Sequence, residues 1–361
     1  MEKNVLIVAY DGMNKSGVPS VIMEICRGLY KECRFSIAIF DCSDDQYYFS
    51  ELNKLGVPVI KIEKPDIRNS LKRKFFNVFK KERYIYKQFQ SLFNKESFDV
   101  IHSFKEADSY PIFKAAKEAG IEKRILHTTV LHTYHHLRDL KTKRNLKKSS
   151  KIASLRIGGS SLSCELAFKK QTYKVITNCY NSDVFKPLSL ASKQLELVHV
   201  GYYSPNKNQL FSVRVLNIIK KDYPSAILHF IGNQNDTNYF SLVKSEINNL
   251  GLESNVIYHD GNQNQNEILS KCIASLVPSK LEGFSLVLVE SQSCGLWCIA
   301  NDKLPRDANA GGVEFLPLDE ALWAQKIISI YKNQKNRLNL DMTKFSRKVF
   351  IENISKLYFE N

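Results

Sequence analysis

The sequence is short of several things that would narrow its role at once. It has no apolar run near the length of about 20 residues needed to span a bilayer. The run nearest the N-terminus, "VLIVAY" at 5–10, has six residues with Glu2 close before it, too few for the core of a signal peptide. None of the eight cysteines forms a CxxC pair, and Cys294 and Cys298 have no His or Cys partner at metal-ligand spacing. A disulfide scaffold and a zinc site are therefore not indicated, and a reducing cytoplasm is the expected setting. No GxGxxG follows a strand pattern, so the dinucleotide fingerprint is missing. There is no short-period repeat and no low-complexity tract. Acidic residues are also scarce, with 37 Asp and Glu against 52 Lys and Arg, for a net charge of +15.

That charge is concentrated. Residues 68–88 and 138–151 carry net charges of +7 and +6, so two short stretches hold 13 of the 15 excess positive charges. The rest of the chain is nearly neutral, and no recognised nucleic-acid motif is present, so nucleic acid is not an expected partner. The first stretch, "RNSLKRKFFNVFKKERYIYKQ", extends into a helical pattern that mixes Leu71, Phe75, Phe76, Phe79, Ile85 and Phe89 with Lys and Arg. Basic amphipathic helices with aromatics lie on anionic membrane surfaces, whereas a solvated helix face is the plainer alternative.

At 361 residues the chain has room for two domains of ordinary size. Short apolar runs alternate with amphipathic helical stretches: "VLIVAY", "FSIAIF", "VPVIKI", "FDVIHSF", "KRILHTT", "IASLRIGG" and "YKVITN" read as strands. The pattern pauses at 181–194, where polar residues and Pro187 resemble a linker, and restarts with "LELVHVG", "AILHFIG", "NVIYHDG", "IASLVPS" and "WCIAND". Repeated strand–helix–strand units imply parallel sheets covered on both faces. The end of the chain, "MTKFSRKVFIENISKLYFEN", reads as one amphipathic helix with Phe345, Val349, Ile351, Ile354, Leu357 and Tyr358 on its apolar side. Two doubly wound α/β domains facing across a cleft, with ligands at the carboxyl ends of the strands, account for this order.

In such a fold phosphates bind where a strand gives way through a small-residue loop to a helix N-terminus. Three loops have this form. "YDGMNKSGVPS" places Gly12 and Gly17 before the first helix. "VGYYSPNKNQ" places Lys207 at a helix start, where a cation opposes the helix dipole unless an anion joins it. In "SKLEGFSLVLVESQSCG" (279–295) a helix begins near Ser285, and Glu290 interrupts an apolar run, sharing a face with Leu286, Val287, Cys294 and Trp297. A carboxylate stranded among apolar neighbours is costly, so Glu290 requires a partner, either structural or bound. A nucleotide sugar poses the matching problem. Its diphosphate needs N–H donors and a cation, and its ribose hydroxyls need a bidentate acceptor.

The Glu–x7–Glu pattern of Glu282 and Glu290 in "EGFSLVLVE" resembles the signature of the retaining glycosyltransferases of family 4, which have the GT-B fold of two Rossmann-like domains. The similarity runs through "HVGYYSPNKNQLF", "GLESNVIYHDG" and "VEFLPLDEALWAQKI", and more loosely through "GMNKSGVPSVIMEICRGL" and "VITNCYNSDVFKP". Members of this kind assemble capsular polysaccharide and O-antigen. The resemblance implies an acceptor-side domain at 1–185, a nucleotide-sugar domain at 186–340, and a helix at 341–361 packing back on the first domain. It assigns Glu290 to the donor ribose and Glu282 to the transferred sugar near its anomeric carbon. Lys207 would bind the diphosphate with the backbone of Ser285 and Leu286 beside it. Gly17 would let the first loop approach the leaving phosphate, and His127 would reach the donor sugar; read alone, a strand-end His is more often structural. His102 has the same two readings. Members usually carry Arg where this chain has Tyr202, which removes one diphosphate cation.

Retention, independence of metals and of cofactors, and a UDP-sugar donor by default follow from the resemblance, as does a lipid-linked saccharide acceptor. No DxD-type carboxylate pair is placed to hold a metal, and there is no obvious enzymic nucleophile. Both basic stretches would then hold the protein peripherally on the inner face of the plasma membrane, beside that acceptor. Two alternatives share the fold: a partner protein that has lost activity, favoured by Tyr202, and a sugar-nucleotide epimerase.

Overall fold

A computed structural model describes residues 2–9, 12–40, 43, 46–63, 78–129, 137–188, 194–234, 236–260, 264–333 and 337–360. They form two compact units, Met1–Asn178 with Arg347–Asn361, and Cys179–Ser346.

In the first unit the strands are β1 (Lys3–Val8), β2 (Cys33–Ile39), β3 (Val59–Lys61), β4 (Val100–Ser103), β5 (Lys123–Thr128), β6 (Leu155–Gly158) and β7 (Lys174–Val175). They pair in the order β3-β2-β1-β4-β5-β6-β7, and every pairing is parallel. The helices between them are α1 (Gly17–Leu29), α2 (Phe49–Lys54), α3 (Val78–Lys95), α4 (Ser109–Glu118), α5 (Leu137–Ile152) and α6 (Ser161–Phe168). Strands such as "FSIAI" are apolar at nearly every position, Ser36 being the exception, because helices cover both faces of the sheet. On one face Leu6, Val8, Ala38, Ile101 and Leu126 pack with Ile85, Phe89 and Phe93 of α3 and with Ile112 and Phe113 of α4. By strand alternation the other face carries Ile7, Ile37, His102, Ile125 and His127.

This packing takes Ile85 and Phe89 out of the face read as a membrane contact. Ile85 and Phe89 are buried in the core, so the apolar side of α3 is taken by the sheet. Leu71, Phe75 and Phe76 lie outside the described residues, as does the side chain of Phe79. Lys81, Arg83 and Lys87 remain exposed, as do Lys143, Arg144 and Lys147 of α5.

The second unit has β8 (Glu196–Val200), β9 (Ile227–Ile231), β10 (Val256–His259), β11 (Ala274–Val277), β12 (Trp297–Asn301) and β13 (Val313–Leu316), ordered β10-β9-β8-β11-β12-β13 and again parallel. The sequence reading has no counterpart of β13, whose residues "VEFL" are only partly apolar. The helices are α7 (Gln209–Lys220), α8 (Thr237–Asn249), α9 (Gln265–Lys271), α10 (Leu286–Ser293) and α11 (Glu320–Lys332). The start of the stretch read as a linker is packed instead: Phe185 lies in the core beside Ile268 and Leu269, and the Lys186 amide donates to Asn266 Oδ1 at 3.2 Å. In each sheet the order reverses once, between β1 and β4 and between β8 and β11. Those reversals are the switch points at whose carboxyl side open α/β sheets bind ligands.

The last helix, α12 (Arg347–Phe359), belongs to the first unit, while Phe345 sits in a separate short turn (Thr343–Phe345) in the core of the second. The single helical pattern read from 342 onward is thus two elements, and Phe345 is not on the helix face. Buried Phe350, Ile354, Leu357 and Tyr358 form the inner side of α12. Glu24 of α1 is nearly fully buried and accepts from both Arg27 and Arg347, and Arg27 makes two further 2.7 Å bonds to Glu51. Two guanidinium groups satisfy this carboxylate, which fastens α12 to α1.

Candidate functional site

At the β8/β11 switch point the loops after the two strands are joined by hydrogen bonds. Asn206 Nδ2 donates to the Leu281 carbonyl at 2.9 Å, and the Lys280 amide donates to the Asn206 carbonyl at 2.8 Å. This brings together two residues 75 positions apart: Lys207 Nζ lies 2.6 Å from Glu282 Oε1, with each side chain about 15 % exposed. Burial alone would push the Lys207 ammonium down. The adjacent Glu282 carboxylate, with Tyr202 and Glu290, outweighs that and raises its pKa, so Lys207 stays charged. The anion that its place before a helix demanded is therefore supplied by the chain itself.

The backbone here has to approach closely. Gly201 follows β8 with φ +152°, and Gly232 follows β9 with φ +156°. A Cβ on Gly232 would lie 2.2 Å from the Gly201 carbonyl oxygen, so only glycine lets the two loops touch. Gln209, fully buried at the start of α7, reaches back to the carbonyls of Gly201 and Tyr202 (3.4 and 3.1 Å). Gln209 and Asn206 hold the loop, and sequence reasoning missed both because an amide near a helix start has no spacing signature. Tyr202 is about half exposed, and its ring centroid lies 5.9 Å from Lys207 Nζ, in cation–π range.

Helix α10 begins immediately after buried Ser285, as its sequence predicted, but the Ser285 side chain does not cap it, and its Oγ has no partner among the described residues. The first-turn amides, including that of Leu286, thus receive no cap from Ser285 at the end of the helix where the dipole is positive. Glu290 sits half-buried with Leu286 and Val287, while Leu288 and Val289 point into the core. The face drawn through Cys294 and Trp297 does not exist, because α10 ends at Ser293 and Trp297 belongs to β12. Glu290 thus lies in a boundary position, close enough to Lys207 to raise its pKa. Lys207, Glu282, Glu290 and Tyr202 form one cluster, and Ser285 and Leu286 lie between the two glutamates in the chain.

Gly17 and His127 lie in the first unit. Gly17 is the exposed first residue of α1, whose preceding Ser16 is extended and makes no side-chain cap. Buried Gln46 accepts from the Met13 amide and braces the loop between β1 and α1. His127, near the end of β5, is wholly buried, and its Nδ1 lies 3.1 Å from His102 Nε2. Burial pushes the His127 pKa down to about 3; burial, and then His127, lowers that of His102. Both rings are neutral at pH 7. Nearby, buried Glu106 adopts φ +48° and accepts from the Thr129 amide at 2.7 Å, pinning the chain just past β5. A non-glycine residue held there marks a constrained site end that no sequence pattern announces.

Among the described residues one group of metal-ligating type gathers: Glu196, His229 and Cys272 offer atoms within 4.8 Å of one another. Those atoms are occupied within the protein. His229 bonds Glu196 at 3.0 Å and His259 at 2.9 Å, and burial, foremost, raises the Cys272 pKa and keeps it a thiol, donating to the Ile268 carbonyl.

Residues 181–349 match the family described as "Glycosyl transferases group 1". The capsular polysaccharide biosynthesis glycosyltransferase CapH of Staphylococcus aureus is 26 % identical over 357 residues, covering 92 % of this chain and 94 % of that one. Among solved structures, Anabaena HepE in complex with UDP and glucose superposes with a TM-score of 0.77 at 17 % identity over 100 % of both chains. Staphylococcus aureus TarM, crystallised with fondaparinux, alpha-GlcNAc-glycerol and UDP, does so with a TM-score of 0.75 at 13 % identity, covering 99 % of this chain and 100 % of that one. The chain therefore has the two-unit GT-B fold seen in glycosyltransferases, and its residues 181–349 match the model of the glycosyl transferases of group 1.

Proposed function

We propose that this glycosyltransferase moves a sugar from a nucleotide-sugar donor, UDP-linked by default, to a lipid-linked saccharide in cell-surface polysaccharide assembly, with retention at the anomeric carbon and without a metal ion. The observation that carries the reading is the cluster at the β8/β11 switch point: a charged Lys207, two carboxylates, and a helix N-terminus that Ser285 does not cap. Glu290 accepts from the ribose diol, and Glu282 from hydroxyls of the transferred sugar. Lys207 has three protons, of which Glu282 takes one, leaving donors for the diphosphate. As the glycosidic bond to phosphate breaks, negative charge grows on the leaving oxygen, and Lys207 with the amides at Ser285 and Leu286 stabilises it. Gly17 and His127 of the first unit keep the donor-side roles that the resemblance assigns them. The neighbours that hold UDP or UDP-glucose, and the capsular relative, support donor and pathway.

Tyr202 favours a second reading, a GT-B partner that binds no donor, because it replaces the usual arginine. Its cation–π contact with Lys207 argues instead that it holds the remaining cation in place. Thermal stabilisation by UDP-, GDP-, ADP- and CMP-sugars separates the two. A donor at a hundredfold excess over its dissociation constant adds about 2.7 kcal/mol. One donor class should stabilise the wild type and not Glu290→Ala; stabilisation of neither protein by any donor sinks the transferase reading.

No described helix is long and apolar enough to cross a membrane. The exposed lysines and arginines of α3 and α5 support peripheral attachment to an anionic inner leaflet, at about 1 kcal/mol per charge near the surface. Flotation with anionic but not neutral liposomes is the expected result, and equal failure with both refutes attachment.

A further inference from the structure

The side of the first sheet covered by α12 contains a line of three polar groups that the cluster in the second unit does not use. Tyr358 of α12 is fully buried, and its hydroxyl lies 2.7 Å from Nδ1 of His102 on β4. His102 Nε2 lies 3.1 Å from Nδ1 of His127 on β5, with the two rings stacked at an interplanar angle of 9°. Phe104 packs against both imidazoles. The line ends at His127 Nε2, which is buried and has no hydrogen-bond partner among the described residues. A native buried polar atom left this way calls for an explanation.

We propose that Tyr358, acting through His102, fixes the tautomer of His127 so that its outer nitrogen is an N–H donor reserved for an oxygen of the transferred sugar. This rests on the reading that His127 faces the donor. Each ring is neutral and so carries one proton. His102 is the hydroxyl's only partner among the described residues. If the phenol donates, His102 Nδ1 accepts, its Nε2–H donates to His127 Nδ1, and the His127 proton is left on Nε2. One buried polar atom then lacks a partner. If the line runs the other way, the phenol proton and the bare His127 Nε2 both lack one. The extra unmet donor disfavours the reverse direction by roughly tenfold or more. Tyr358 and His102 are thus positioning residues, and the C-terminal helix, 256 residues from His102, sets the hydrogen-bonding sense of a strand-end histidine.

An N–H donor accepts a hydroxyl, ring or carbonyl oxygen as partner and rejects a group that offers only a hydrogen. Long-range proton–nitrogen correlation spectra of the full-length, histidine-labelled protein without ligand read each tautomer directly, with His127 identified by the signal missing from His127→Gln. Both His102 and His127 should be Nε2–H forms in the wild type, and Tyr358→Phe should mix them. Finding His127 in the Nδ1–H form in the wild type overturns the relay and needs no variant to fold. In parallel, Tyr358→Phe should weaken binding of UDP-glucose several-fold and leave UDP unchanged. If the spectra change as expected but UDP-glucose binding by a competent wild type does not, the relay stands and the placement of the donor sugar at His127 is refuted. If the wild type binds neither ligand, the donor reading fails, and the spectra still decide the relay.

Discussion

Replacing Lys207 by Met and Glu282 by Gln, singly and together, tests whether the second-unit cluster is held by a coupled pair. At 2.6 Å the two charges attract by on the order of 6 kcal/mol at an effective dielectric of about 20. Removing both from water takes back most of that, so the intact pair adds little net stability. Removing one partner is different, because it leaves the other charge buried. For fully buried pairs that costs about 3–5 kcal/mol. With about 15 % of each side chain exposed, solvent screens part of the charge, and about 2–3 kcal/mol is expected for Glu282→Gln. The Lys207→Met loss should be similar, since Glu282 is then left largely buried without its cation. The double variant should recover to within about 1 kcal/mol of wild type, a coupling that only a direct contact produces. Urea unfolding followed by tryptophan fluorescence suits this measurement, because Trp297 and Trp323, the only two tryptophans, both lie in the second unit. Losses that simply add in the double variant would refute the pairing. The raised Lys207 pKa sets the pH dependence: its contribution is fully present below the ordinary lysine value near 10.5 and is lost as pH rises through the higher folded value.

Two further outcomes follow from the same geometry. Gly232→Ala should cost more than about 2 kcal/mol, since both the left-handed backbone and the clash with the Gly201 carbonyl carry penalties of roughly 1–3 kcal/mol. A fluorescence-monitored midpoint within error of wild type would show that the loops do not touch. In the first unit, His127 has a folded pKa lowered to about 3, so the unfolded chain takes up a proton first as pH falls below about 6.5. The stability difference between wild type and His127→Gln should therefore shift against the wild type by about 2 kcal/mol between pH 7 and pH 5. Urea titrations followed by circular dichroism read this difference, and a pH-independent one would mean that His127 is not buried as a neutral ring.

The alternation of short apolar runs with amphipathic stretches was enough to place twelve of the thirteen strands among the described residues and to identify two parallel sheets, because strands covered on both sides need mostly apolar residues. β13 was not legible, since Glu314 interrupts a four-residue edge strand. Periodicity shows which side of a helix is apolar but not what covers it. Ile85 and Phe89 looked equally suited to a bilayer and to a sheet, and only packing decided for the sheet. The same holds for Phe345 and Phe185, whose apolar side chains lie in stretches read as helix and as linker but belong to the second-unit core.

The candidate site divides along the same line. Local spacing alone showed the start of α10 at Ser285, the interval between Glu282 and Glu290, and a lysine at a helix start that needed an anion. That Glu282 itself is the anion, that Gln209 and Asn206 hold the loop, and that Tyr358 meets His102 and His102 in turn meets His127 were decided by tertiary structure. Those partners are separated by up to 256 residues and meet only because strand order brings β8 beside β11, and because the last helix returns to the first unit. Sequence encodes the preferences of each segment, whereas contact between distant side chains depends on how the segments stack. The charge kept on Lys207 follows from such a contact.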